Sequence, residues 1–126
     1  MDRVKALYYL VSVTLGVALG GFDGFTVFFL LLISFDFLTG VMVGILDHNL
    51  SSKIGIRGLF KKFTMLLVII LANFFDLYIV GDGSLTKNIA ISAFSAMELA
   101  SLIENSAKLG VPLPEKLKEV FLSLKA

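Results

Sequence analysis

The chain alternates between long apolar stretches and short clusters of charge. No charged residue occurs from Ala6 to Phe22. Asp36 is the only one from Gly24 to Leu46, and Asp76 the only one from Phe63 to Gly81. From Asn88 to Ala107 there are two, Glu98 and Glu104. About 17–25 mainly apolar helical residues cross a hydrocarbon core about 30 Å thick. The first three stretches meet that requirement; the fourth, rich in Ala and Ser, is the weakest. The pattern predicts a single all-α membrane domain. It has three to four transmembrane helices, near residues 4–22, 25–46, 63–81 and 88–107.

The junctions fit this reading. The first stretch ends in Leu19-Gly20-Gly21-Phe22-Asp23-Gly24, with no convincing small-x-small cleavage site and more apolar sequence directly after it. It is therefore expected to be an uncleaved span, its glycines turning the chain into the second. After the fourth stretch, Pro112 and Pro114 mark a break and a helix start. Leu113, Leu117, Val120, Phe121 and Leu124 then recur at helical spacing, which predicts an amphipathic tail helix over 114–125. It either lies on the inner leaflet or packs on neighbouring subunits.

Composition supports the membrane and narrows the chemistry. Hydrophobic residues make up 57% of the chain and charged ones 17%, against about 45–50% and about 25% in soluble domains. So short a chain has too little interior to hide that apolar surface. There is no cysteine and one histidine, His48, so a thiolate nucleophile, a zinc site and a His-based triad are not expected. No phosphate loop, nucleophile elbow or HExxH motif is present. No catalytic residue, metal or cofactor is predicted, and a net charge of +1 gives no reason to expect nucleic acid.

Basic residues orient the spans. Arg3 and Lys5 precede the first, and Lys53, Arg57, Lys61 and Lys62 separate the second and third. Lys87 stands before the fourth; Lys108, Lys116, Lys118 and Lys125 follow it. Four crossings put ten of the 11 basic residues on one side, which favours both termini in the cytoplasm. A re-entrant or interfacial fourth helix is the rival arrangement. The segment from Asp47 to Lys62 is read as a topogenic basic loop, with its latter part as a candidate interfacial segment. Asn49-Leu50-Ser51 has the form of a glycosylation acceptor, without meaning in a cytoplasmic loop.

The acids inside the spans are the functional candidates, because such groups are costly in hydrocarbon. Asp36, Gly40 and Gly44 fall on one face of the second span, where GxxxG spacing permits close helix approach. A second GxxxG pattern joins Gly16 to Gly20. Asp36 is expected to be held largely uncharged, with a purely structural hydrogen bond as the alternative. Asn73 and Asp76 share a face of the third span, and Asp76 is near enough to its outer end to reach the interface. The fourth span carries Ser95, Glu98, Ser101, Asn105 and Lys108 as a polar stripe. The first three spans present mainly Leu, Ile, Val and Phe, so one chain is expected to offer the stripe few internal partners. Water or the same stripe on other copies would then satisfy it. The alternative is a helix lying flat at the interface.

These residues resemble those of the phage holins of Gram-positive bacteria, including the holin-like proteins of clostridial toxin loci. The resemblance runs over nearly the whole chain. Its most specific pieces are Asp36-Phe37-Leu38-Thr39-Gly40, Ser51-Ser52-Lys53 with Gly58-Leu59-Phe60-Lys61-Lys62, and Ser101 through Pro114. One departure is Met97, where the family pattern has Asn before the Glu. The resemblance implies a bacterial cytoplasmic-membrane protein that forms homo-oligomers and opens a lesion at a set time. An endolysin, in cell lysis, or a large toxin, in toxin secretion, passes through it. It implies no catalytic residues. Asp36, Gly40, Gly44, Asp76, Ser95, Glu98, Ser101, Glu104 and Asn105 become candidate pore or assembly positions. Two other functions fit the pattern: a small proton-coupled exporter using an intramembrane acid, and a non-conducting membrane tether.

Overall fold

A computed structural model describes residues 2–48 and 52–123. Its described residues form five helices: α1 (Arg3–Ala18), α2 (Gly24–Leu46), α3 (Ser52–Phe75), α4 (Leu85–Lys108) and α5 (Glu115–Ser123). Asp76–Val80 extends α3 as a π-helical turn. The Asn49-Leu50-Ser51 site and the tail positions Leu124 and Lys125 lie outside the described residues.

Local chemistry sets the helix ends. The Asp2 carboxylate accepts from the Lys5 backbone N–H at 2.8 Å and caps α1. Asp23 does the same for α2, accepting from the Thr26 backbone N–H at 2.8 Å. Both supply an acceptor to N–H groups that have no partner within the helix. The C-termini of α1 and α4 close in the same way. Gly21 N–H donates to Gly16 C=O and Gly20 N–H to Val17 C=O; Val111 N–H donates to Ser106 C=O and Gly110 N–H to Ala107 C=O. Both ends are Schellman motifs, with Gly20 (φ 81°) and Gly110 (φ 88°) at the left-handed position. The glycine turn predicted between the first two spans is therefore present, and Asn73 of α3 ties it down. Its amide donates to Ala18 C=O at 3.0 Å, and a Cβ on Gly20 would collide with the same amide.

One helix starts elsewhere than the hydropathy suggests. The third span was placed at 63–81 after a basic loop, but α3 begins at Ser52. Lys53, Arg57, Lys61 and Lys62 are thus helical residues. The polarity change marks where a membrane would begin rather than where the helix begins. Lys and Arg are good helix formers with apolar stems, so they extend a span outward without breaking it.

The helices alternate in direction. Lys87 at the start of α4 meets Asp23 at the start of α2, while Asn105 near its end meets Asp36 and Thr39. So α4 runs beside α2, antiparallel to α3, instead of lying across them, and it packs on both. Among the described residues α1 meets only α3, and α5 folds back on α4. The core is small: Leu19, Phe29, Ile33, Met65, Ile69 and Ile91. Most large apolar side chains face outward, Val4 and Tyr78 for example at 78% and 76% exposure. Such a surface is at home in lipid rather than water. Gly24–Leu46 and Gly55–Val80 are each long and apolar enough to cross a membrane.

Gly20→Ala tests the tie between the α1–α2 turn and α3. It adds left-handed strain, about 1–3 kcal/mol, and the clash with Asn73. Gly21 (φ 101°) has open space around it, so Gly21→Ala suffers the strain alone. Thermal unfolding in detergent should rank Gly20→Ala as the less stable of the two, and equal losses would contradict the contact.

Candidate functional site

The charged residues of the helical bundle gather at two levels. The inner cluster is built on α2, α3 and α4. Along α3, Lys62, Met65, Ile69 and Asn73 stand at i, i+3, i+7 and i+11, so Lys62 shares the face that packs against the other helices. Its ammonium lies 2.8 Å from Asp36 Oδ2 and 2.5 Å from Glu98 Oε2. One cation from α3 thereby joins one carboxylate from α2 and one from α4. Asn105 completes the contact, its amide Nδ2 donating to Asp36 Oδ1 at 3.0 Å and to Thr39 Oγ1 at 3.1 Å. A cavity of about 290 Å³ adjoins the cluster, with Gly40, Gly58 and Ser101 in its wall. With both acids ionised, Asp36, Glu98 and Lys62 together carry one negative charge in excess, and Lys61 adds a second ammonium to the cavity wall.

The outer cluster sits where α2 and α4 begin. Asp76, 1% exposed, accepts from the backbone N–H groups of Thr86 and Lys87 at 3.1 and 2.9 Å. It caps α4 from another helix; Ser84, directly before α4, makes no capping bond. The π turn that begins at Asp76 closes with a Gly81 N–H to Asp76 C=O bond of 2.9 Å. Lys87 is as buried as Asp76 and pairs with Asp23 at 3.6 Å. The Thr26 backbone N–H holds the Asp23 carboxyl below its ordinary range, with Lys87 adding to the effect.

Several expectations change against this geometry. Asp36, expected to be largely uncharged, has the Lys62 ammonium 2.8 Å away, a partner that the reading of the second span did not include. Asp76 is buried within the chain, where it caps α4. The polar stripe of α4 does find internal partners. Ser95 and Glu98 are buried, and Ser101 and Asn105 are half-buried against the same chain. Lys62, Asp36 and Thr39 are what the apolar reading of the first three spans left out. Among the described residues the buried hydroxyls of Ser95 and, on α2, Thr26 make no hydrogen bond. Glu104 and Gly44 are half-buried. The Gly16–Gly20 pattern is occupied within the chain, by Phe22 and Asn73. Gly40 faces Asn105, whose amide nitrogen would lie 3.7 Å from an added Cβ. Lys53, Arg57 and Lys61 are exposed on α3; Lys61 borders the cavity beside the cluster, and Lys53 and Arg57 do not.

Sequence reasoning missed the roles of Lys62 and Lys87, both counted as topogenic charges. For Lys62 the signal was available in its spacing to Met65, Ile69 and Asn73.

An all-helical chain with an apolar exterior and charge hidden between its helices is a membrane protein. The model of the bacteriophage holin family matches residues 13–126, and the chain belongs to that family, one of membrane proteins rather than enzymes. Its relatives include an uncharacterised 14.9 kDa protein from the nagH 3′ region of Clostridium perfringens, 39% identical over 106 residues, which cover 83% of this chain and 80% of that one. An uncharacterised protein of Listeria monocytogenes is 34% identical over 69% of this chain and 61% of its own length. The uncharacterised YtkC of Bacillus subtilis is 29% identical over 99% and 95%. No solved structure matches the chain.

Two predictions follow from the clusters. Lys62→Met leaves two buried acids without their cation and should cost about 3–5 kcal/mol. Adding Asp36→Asn and Glu98→Gln should restore most of that loss in a detergent unfolding assay; no recovery would mean that Lys62 acts by packing alone. Asp23 provides the pH test. Its carboxyl is depressed in the folded state, so its contribution is present above the ordinary carboxylate range and is lost as pH falls through the lower, folded value. Asp23→Asn keeps a capping side chain but cannot titrate. Its unfolding midpoint should therefore vary less than that of the parent between about pH 5 and 3, and parallel curves would exclude the Asp23 contribution.

Proposed function

We propose that this chain is a holin-type pore former. Copies assemble in the bacterial cytoplasmic membrane and open a lesion through which an endolysin or a large toxin leaves the cell. Family membership and the apolar exterior support this reading. The observation that carries it is the inner cluster: Glu98 and Asn105 on the polar side of α4 are met inside their own chain by Lys62 and Asp36. A protomer so built hides its polar groups from lipid while the membrane is intact. Parting α4 from α2 and α3 breaks those contacts, and the freed groups then need water or the same groups of other copies. Assembly into a closed ring brings the stripes together around one axis, and Ser95, Glu98, Ser101 and Asn105 then line the wet side.

In this reading α1 and α4 cross the bilayer with α2 and α3. Alternating helix directions and the shared level of the α2 and α4 starts support four crossings, as does the bias of basic residues. Both termini and Lys53 to Lys62 then lie in the cytoplasm. The second reading, a small proton-coupled exporter, draws on the same cluster, since two acids sharing one lysine inside a membrane suit proton exchange.

Inducible expression with a co-expressed cytoplasmic enzyme separates the two. A pore former kills its host and releases the whole enzyme; saturable efflux of a small solute without killing would favour the exporter. Cysteines in place of Ser95 and Ser101 extend the test. Both should resist a water-soluble thiol reagent before release begins and react after it. If they stay protected while a cysteine at Ile91 or Leu99 reacts, the polar side of α4 is a packing face and not a pore wall.

A further inference from the structure

Two cavities meet on the outward side of α3. The larger is an open groove of about 730 Å³ between α2 and α3, with Phe37, Phe60, Phe63 and Leu66 in its walls. The smaller, about 410 Å³, is bounded by Lys53, Ile56, Arg57 and Phe60. Phe60 belongs to both, so a basic recess opens directly into an apolar groove. Lys53 and Arg57 are one helical turn apart and Phe60 follows on the next, which puts all three on one face. Lys53 and Arg57 are exposed, and among the described residues neither has a carboxylate within ion-pair distance. Lys62 also borders the groove, but its ammonium is held by Asp36 and Glu98.

Length and charge say what fits. From Lys53 to Leu66 the helix rises about 20 Å, and one leaflet of hydrocarbon is about 15 Å deep. With the two cations at headgroup level, the groove follows the path of an acyl chain toward the middle of the bilayer. We propose that this face of α3 is a binding site for an anionic phospholipid, its phosphate on Lys53 and Arg57 and an acyl chain in the groove. A neighbouring copy inserting α1 parallel to α3 would fit less well, because Arg3 and Lys5 would arrive at the level of Lys53 and Arg57. Two cations near the phosphate favour an anionic over a zwitterionic headgroup, each by about five-fold in affinity. The site needs membrane residence only and is independent of whether the protein forms a pore.

The test uses the full chain, purified in a neutral detergent. It is offered phosphatidylglycerol or phosphatidylcholine with identical acyl chains, and bound lipid is counted by native mass spectrometry. Phosphatidylglycerol should be retained at least about ten-fold better. Lys53→Gln with Arg57→Gln should weaken its retention by about 25-fold, and Phe60→Ala should weaken retention of both lipids. Lys61→Gln, exposed on the same segment but turned away from the groove, should change nothing. Circular dichroism checks that each variant keeps its helices. Equal retention of the two lipids, full retention by the double variant, or an equal loss in Lys61→Gln would overturn the site. So would displacement of the lipid by millimolar inorganic phosphate, which would point to a soluble anion. A disulfide formed between copies by cysteines in place of Phe63 and Leu10 would also overturn it, by placing a neighbouring helix in the groove.

Discussion

The bundle depends on one ammonium group held between two carboxylates. Lys62 meets Asp36 and Glu98 at hydrogen-bond distance and so ties α2, α3 and α4 together at one point. In hydrocarbon each of these groups alone would be costly. Together they leave one negative charge in excess, offset in part by the Asn105 amide, which donates to Asp36. The interaction therefore does more than hold three helices together. It makes their mutual packing the condition under which their polar residues are tolerated in a membrane. Separating the helices exposes charge as well as apolar surface, and the charge then needs water or other copies.

A similar arrangement recurs at the other end. Asp23, Lys87 and Asp76 are again two acids and a lysine, drawn from α2, α4 and the π turn after α3. Here the lysine is buried and one acid is spent on the α4 backbone. Asp76 occupies the capping position that Ser84 leaves unused, and so connects the end of α3 to the start of α4. The two clusters are separated by the apolar core of Phe29, Ile33, Met65, Ile69 and Ile91. Charge at both levels and hydrocarbon between them set the axial register of α4 against α2 and α3.

Outside this bundle the chain is loosely held. α1 touches only α3 among the described residues, and its glycine pair is used by Phe22 and Asn73 rather than left open. Its outward apolar side chains, Val4, Leu7, Leu10 and Val13 among them, are exposed and left to lipid or to other protein. The groove between α2 and α3 is a second unfilled surface, and among the described residues the basic side chains at its edge, Lys53 and Arg57, have no ion-pair partner.

Much of this was legible in the residues themselves. The lengths of the uncharged stretches predicted all-helical spans, because a helix is the one way for a single segment to satisfy its backbone in lipid. The glycine turn after α1 could be read locally, since a left-handed position favours glycine. The residues near Asp36 and the stretch from Ser101 to Pro114 marked the family. Helix α3 was less legible at its start, because hydropathy reports the membrane boundary and Lys and Arg continue a helix beyond it. What only the tertiary structure decided was which charges face each other. Lys62 and Lys87 read as topogenic lysines because a count of basic residues ignores the direction of a side chain. Asp36 and Glu98 read as lone acids because their cation is 26 and 36 positions away in the chain. The partner of a buried charge is chosen by how helices are brought side by side, and spacing within one helix carries no record of that choice.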